Sequence, residues 1–133
     1  HQHMPAHVAD ARTDLVKLAL AVAAKVTHAE ALRNRQVVVD TAAEALRLAA
    51  GARLVTLRVQ PGEVAMLESY LPALVAKIRT VGSVELAADE TVTPGGVVAT
   101  FGGGEVDARM ETQLQRIAVE LLGDDAAVQS VDR

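Results

Sequence analysis

The chain has no cysteine. Disulfides, thiol nucleophiles and cysteine-ligated zinc are therefore excluded, and a reducing, cytoplasmic setting is expected. It also has no tryptophan, one phenylalanine (Phe101) and one tyrosine (Tyr70). With so few rings, alanine, valine and leucine must fill the core, and their small side chains let helices approach closely. An excess of basic residues is missing as well. Against 17 Asp and Glu there are 13 Lys and Arg, a formal net charge of −4. General nucleic-acid binding needs Lys and Arg to neutralise phosphates, so no nucleic-acid partner is expected. The longest apolar run, Leu18–Ala24, falls far short of the ~20 residues of a membrane span. No stretch has the basic start and leucine-rich centre of a signal peptide.

What is present fits one domain. The 133 residues are half apolar, enough for a real core without staples. His1-Gln2-His3-Met4 reads as the remnant of an alternating His-Gln purification tag. If Met4 is an engineered start, the chain is a piece of a longer protein. Residues 5–123 are expected to form a single domain and residues 124–133 a frayed tail.

Periodicity orders the elements. Ala6–Arg33 repeats apolar residues at helical spacing, with Val8, Leu15, Val22 and Val26 in one stripe and Leu18 and Ala19 between them. Ala19 and Ala23, four apart, permit close approach of another helix. Asn34 reads as a cap. Arg35–Ala50 is a second helix with Val38, Ala42, Ala45 and Ala49 on one face, closed by Gly51. Arg53–Val59 switches to alternation and reads as a central strand. Pro61 and Glu63 open a third helix, with Pro72 starting a further turn that runs to Ile78. Ser83–Ala88 alternates again, with Val84, Leu86 and Ala88 on one side. Strand, helix and strand in this order imply a parallel crossover. Val97–Phe101 then makes a hairpin through Gly102-Gly103-Gly104, and a last helix carries Met110, Leu114, Ile117 and Leu121 in one stripe. The expected fold is α/β, a small mixed sheet of about four strands with packed helices, in the order α-α-β-α-β-β-β-α.

Few residues offer chemistry. Three glycines before a helix invite a phosphate-loop reading, but no Lys or Ser/Thr follows and Glu105 and Asp107 would repel phosphate. A loose turn using positive φ is the plainer account. Gly95, Gly96 and Gly102 are read as turn residues and Asp107 as the N-cap of the last helix. Asp89, Glu90, Glu105 and Asp107 are the one set of carboxylates that acid–base catalysis could use. No His, Lys or nucleophile lies near them in sequence, and solvated turn residues are the plainer reading. His7 and His28 stand too far apart to share a metal at adjacent helical turns. Neither a cofactor nor a metal is expected. Arg109 and Arg116 lie on a polar side of the last helix, which suits a solvated face or a docking face.

One stretch goes further. Pro94-Gly95-Gly96, Thr100-Phe101-Gly102, Glu105-Val106-Asp107-Ala108 and Thr112-Gln113-Leu114 resemble the C-terminal domain of the FliH/SctL family of flagellar and virulence type III secretion. Upstream, Leu57-Arg58-Val59-Gln60-Pro61-Gly62-Glu63 resembles that family's strand and helix start, and Val84-Glu85-Leu86 with Asp89 its next strand. The resemblance covers about Val38 to Leu122. Val97 replaces a frequent Cys, Gln60 and Gly62 replace Asn and Glu, and the glycine turn is about a residue longer. The E subunit of rotary V/A-type ATPases has a similar domain, but its Asn-Thr-Leu and Arg-Leu signature is absent from Asp107–Ile117.

The resemblance implies a non-catalytic stator or regulator that binds the N-terminal region of the export ATPase. It further implies homodimerisation of the full-length protein through an N-terminal coiled coil. The N-terminal part links to a cytoplasmic ring protein, which places the complex in the cytoplasm at the inner membrane. Two alternatives stand beside it: a rotary ATPase peripheral stalk, and a small α/β enzyme with a carboxylate site at Asp89, Glu105 and Asp107. The expected contact surface is the hairpin strand Val97, Val98, Ala99, Thr100 and Phe101 with Arg109, together with Ala6–Val26. An edge hairpin would offer unpaired backbone groups to a partner.

Overall fold

The structure is a computed structural model that describes residues 6–123. The expected tag remnant at 1–4 and the frayed tail at 124–133 lie outside the described residues. Nine elements follow one another: α1 (Ala6–Arg33), α2 (Gln36–Leu48), β1 (Leu54–Val59), a 3-10 turn (Pro61–Glu63), α3 (Val64–Lys77), β2 (Ser83–Ala88), β3 (Val97–Phe101), β4 (Gly104–Ala108) and α4 (Met110–Leu122). This is the expected order of helices and strands in a mixed α/β fold. The chain divides into two compact units, residues 28–110 and residues 6–27 with 111–123.

The larger unit is a four-stranded sheet in the order β2-β1-β3-β4. β1 and β2 run parallel, from Leu54↔Ser83 to Val59↔Ala88. β3 is antiparallel to both β1 and β4. Strand alternation sends Val55, Leu57 and Val59 to one face, where all three are fully buried. Val97 and Ala99 of β3 join them, and α2 covers β3 and β4 while α3 covers β2. From α2 come Val38, Ala42, Ala45, Leu46 and Ala49, at the helical spacing the sequence shows. Leu67 and Leu74 come from α3. The core is thus valine, leucine and alanine with one isoleucine, Ile78, and Phe101 lies only at its margin.

Local chemistry sets the element ends. Asn34 Oδ1 accepts the Gln36 N–H at 3.0 Å, so Asn34 serves the start of α2 from one residue before its formal cap. Glu30 holds the same corner, accepting from Arg33 at 2.6 Å and Asn34 at 3.0 Å. Gly51 ends α2 at φ +90°, a conformation that costs glycine little. Pro72 does not begin a new turn but lies inside α3. Thr27 does not interrupt α1. Its hydroxyl donates to the Ala23 carbonyl at 2.8 Å, and α1 runs on through it.

The smaller unit departs from expectation in which face it covers. Leu15, Leu18, Val22 and Val26 are 66, 62, 53 and 59% exposed. The half-buried positions of α1 are Thr13, Val16, Leu20, Ala23 and Thr27, an adjacent stripe at the same spacing. In α4, Ile117 and Leu121 are exposed and Ala118 is the buried residue. Val16, Leu20 and Ala23 of α1 and Leu114, Ala118 and Val119 of α4 mark the covered sides, while the apolar residues of the neighbouring stripes stay exposed. The Arg12 guanidinium donates to the Leu121 carbonyl at 3.4 Å.

Candidate functional site

The hairpin strand picked out by sequence does not lie at an edge. β3 is paired on both sides, to β1 and to β4. Val97, Val98 and Ala99 are 0, 5 and 0% exposed. The expectation that Val97–Phe101 offers unpaired backbone for strand addition is therefore corrected, because β1 occupies the side thought free. Thr100 and Phe101 are half-buried and remain accessible in part.

The turn that follows also differs from its reading. Phe101 pairs with Gly104, so Gly102 and Gly103 make a two-residue connection, and neither takes a positive φ. Of the turn glycines named from the sequence, Gly95 is the left-handed one, at φ +85°. A Cβ there would lie 2.7 Å from Ala31 Cβ and 3.1 Å from Val37 Cγ1. The backbone of the β2–β3 loop thus passes against the α1–α2 corner, where only glycine fits. Gly96 beside it is buried, and a Cβ on it would lie 3.2 Å from Arg109 Cα.

Glu63 fastens this loop from 32 residues away. Its carboxylate accepts the Gly95 N–H at 3.0 Å. Partial burial pushes the Glu63 pKa up, and the Gly95 bond and the Arg35 charge only partly offset that. The residues around it, Arg35, Gln60, Met66 and Pro94, outline a small recess of about 200 Å³. Sequence had given Glu63 only the role of a first-turn acid. No local pattern announces a partner so distant in the chain.

The charged residues collect on the sheet face opposite the core. Arg58 aligns with Val98, and Val98 with Asp107, across three strands. Arg58 donates to Glu105 at 2.9 Å and lies 3.7 Å from Asp89. Asp89 accepts the hydroxyl and the N–H of Thr91, which hold its pKa below the ordinary carboxylate value. Asp107 is a residue of β4, not the N-cap of α4. It accepts the Arg109 backbone N–H at 3.1 Å and two guanidinium bonds at 2.9 and 2.7 Å. The helix begins at Met110, so Asp107 orders the strand-to-helix corner from outside it.

Asp89, Glu105 and Asp107 thus share a face, but arginines stand between them instead of an apolar pocket. Each carboxylate meets a guanidinium, Arg58 beside Asp89 and Glu105 and Arg109 beside Asp107. Among the described residues, no three His, Asp or Glu side chains group to hold a metal. His28 is exposed. An open groove of about 750 Å³ runs beside Leu54, Thr56, Thr100 and Phe101 to the Gly102-Gly103 turn. Sequence reading passed over Arg58 and this groove, because both depend on strand order.

A scan of the chain against family models matches one over residues 2–117, the flagellar assembly protein FliH family. The chain belongs to the FliH family. This agrees with the resemblance carried by Pro94–Leu114 and makes the chain a flagellar assembly protein, coarsely a regulator of type III export. A search of curated proteins gives no match. FliH is known as a family of non-catalytic regulators. None of the described helices is long and apolar enough to cross a membrane.

Proposed function

We propose that this chain acts as a non-catalytic subunit that binds the export ATPase and helps to anchor or restrain it during type III export. FliH membership supports the setting. The observation that carries the binding role is the apolar stripe of α1. Leu15, Leu18, Val22 and Val26 are more than half exposed on one helix, and contiguous apolar surface of this kind marks protein interaction sites. Helix-in-groove recognition reads such anchors at three- and four-residue spacing. The ATPase N-terminal region is the assigned partner, at the cytoplasmic side of the inner membrane. Linkage to a ring protein and homodimerisation of the full-length protein belong to the same reading. Within residues 28–110, Thr100, Phe101 and Arg109 are the accessible members of the hairpin surface and are assigned a separate, secondary contact.

The test replaces Leu18 and Val22 together by serine and measures ATPase binding by calorimetry. Their exposure predicts an unchanged circular dichroism spectrum and at least tenfold weaker binding, since each buried aliphatic side chain contributes roughly 1.5–3 kcal/mol. Unchanged affinity would remove α1 as the contact.

A further inference from the structure

The groove of about 750 Å³ opens at one end of the sheet, where α2 gives way to β1 and the β3–β4 turn comes alongside. Its floor is apolar. Leu54 is 45% exposed there, and Phe101, the one phenylalanine, is half-buried. Its wall is bare backbone, since a Cβ on Gly51, Gly102 or Gly103 would meet nothing within 4 Å. The loop from α3 to β2 is fastened to the same end. The Gly51 N–H donates to the Thr80 carbonyl at 2.8 Å, the Gly82 N–H to the Ala52 carbonyl at 3.0 Å, and the Ser83 N–H to the Arg53 carbonyl at 2.8 Å. Arg53 and Arg79 are thereby set at one junction beside the groove.

The charge at this end runs against the net charge of −4. Arg53, Lys77 and Arg79 are exposed, and among the described residues no carboxylate pairs with them. Arg47, Arg58 and Arg109 differ, because Glu44, Glu105 with Asp89, and Asp107 engage them. Lys77 also suits the carbonyl end of α3, so the weight falls on Arg53 and Arg79, which lie outside every helix. Glu85, aligned with Thr56, is the exposed carboxylate on this half of β2, one charge against three. Glu63, Asp89 and Glu90 stand at the far end of β1 and β2. We propose that the groove docks an acidic segment of a partner protein, an apolar side chain over Leu54 and Phe101 and carboxylates at Arg53 and Arg79. This rests on the secondary contact assigned above to Thr100 and Phe101 and names the chemistry of its occupant. Unpaired guanidinium groups at the rim select carboxylates, and an apolar floor selects a side chain over a bare anion. A nucleic-acid strand would ask for stacked rings along the groove, and Phe101 stands alone.

The test is fluorescence anisotropy of the whole chain with a labelled synthetic peptide, a pair of leucines flanked on each side by glutamates. Two control peptides replace the glutamates by lysine or the leucines by serine. The acidic peptide should bind saturably, the lysine peptide should not bind, and the serine peptide should bind at least tenfold more weakly. Arg53→Glu combined with Arg79→Glu should weaken the acidic peptide at least tenfold, and so should Leu54→Ser, with circular dichroism spectra unchanged because all three residues are exposed. Raising the salt shortens the Debye length and should weaken the unmodified chain more than the Arg53→Glu, Arg79→Glu variant. Equal binding of the acidic and lysine peptides, no binding of either, or affinity indifferent to the arginine substitutions would each overturn the proposal. So would binding of phosphatidylglycerol vesicles through Arg53 and Arg79 with no binding of the peptide, which would give the patch to a lipid surface. No ATPase enters this test. Its failure leaves the α1 contact standing, and an ATPase that does not bind the chain leaves a positive peptide result standing.

Discussion

Gly95→Ala should destabilise the larger unit by about 3 kcal/mol, while Gly102→Ala should not destabilise it at all. Gly95 sits at φ +85°, and an L-residue held in the left-handed region costs about 1–2 kcal/mol. The added methyl group would lie 2.7 Å from Ala31 Cβ and 3.1 Å from Val37 Cγ1. Both neighbours belong to the α1–α2 corner and have little room to give, and overpacking of this kind costs about 1–3 kcal/mol. At Gly102 nothing lies within 4 Å of a Cβ, and φ is not positive. Alanine there restricts only the unfolded chain, a gain of about 0.4–1 kcal/mol. Urea unfolding followed by circular dichroism reads both variants. With a slope of about 1–3 kcal/mol per molar, the Gly95→Ala midpoint should fall by about 1–3 M and the Gly102→Ala midpoint should hold or rise. Equal losses at the two sites would refute the assignment of Gly95 as the constrained glycine.

Other consequences follow from the same geometry. Leu57 is fully buried between the helices and the sheet, so Leu57→Ala should cost about 2–5 kcal/mol in the same assay; a loss under 1 kcal/mol would mean the core is loosely packed. Burial raises the Glu63 pKa above its unfolded value, so the charged form is penalised at neutral pH and the penalty fades as pH falls through the raised pKa. Glu63→Gln keeps an oxygen for the Gly95 N–H and should raise the thermal midpoint at pH 7, with a gain that shrinks toward acid pH; a pH-independent effect would contradict this. Asp89 has its pKa lowered by Thr91, so its contribution is present above the ordinary carboxylate pKa and is lost as pH falls through the lowered one. Asp89→Asn should flatten that acid limb, and an unaltered limb would count against the role of Thr91. Arg58→Gln removes pairs to Glu105 and Asp89 that are partly solvated, and should cost under about 1 kcal/mol, less still in high salt.

The helices and strands were legible because their burial follows local periods. Val38, Ala42, Ala45 and Ala49 repeat as one helix face must, and Val55, Leu57 and Val59 alternate as a strand half-covered by helices must. The place of β3 was not legible. A hairpin pattern names its own partner, β4, but carries no mark of β1, which lies about forty residues earlier and takes the other side of β3. The surface assigned to Val97–Phe101 failed as a free edge for that reason. The apolar stripe of α1 was visible, but its exposure was not, since the same spacing serves an intramolecular core or a partner. Two glycine pairs looked alike in sequence, and only the neighbours Ala31 and Val37 distinguish Gly95 from Gly102.

The central claim is that this FliH-family chain binds the export ATPase without catalysing a reaction itself. The direct measurement is sedimentation of the chain with the purified export ATPase of the same genome, together with ATP turnover of the mixture. The account predicts a stable complex of fixed stoichiometry, altered turnover by the ATPase, and no turnover by the chain alone. Sedimentation of the two proteins as separate species, with turnover unchanged, would contradict it.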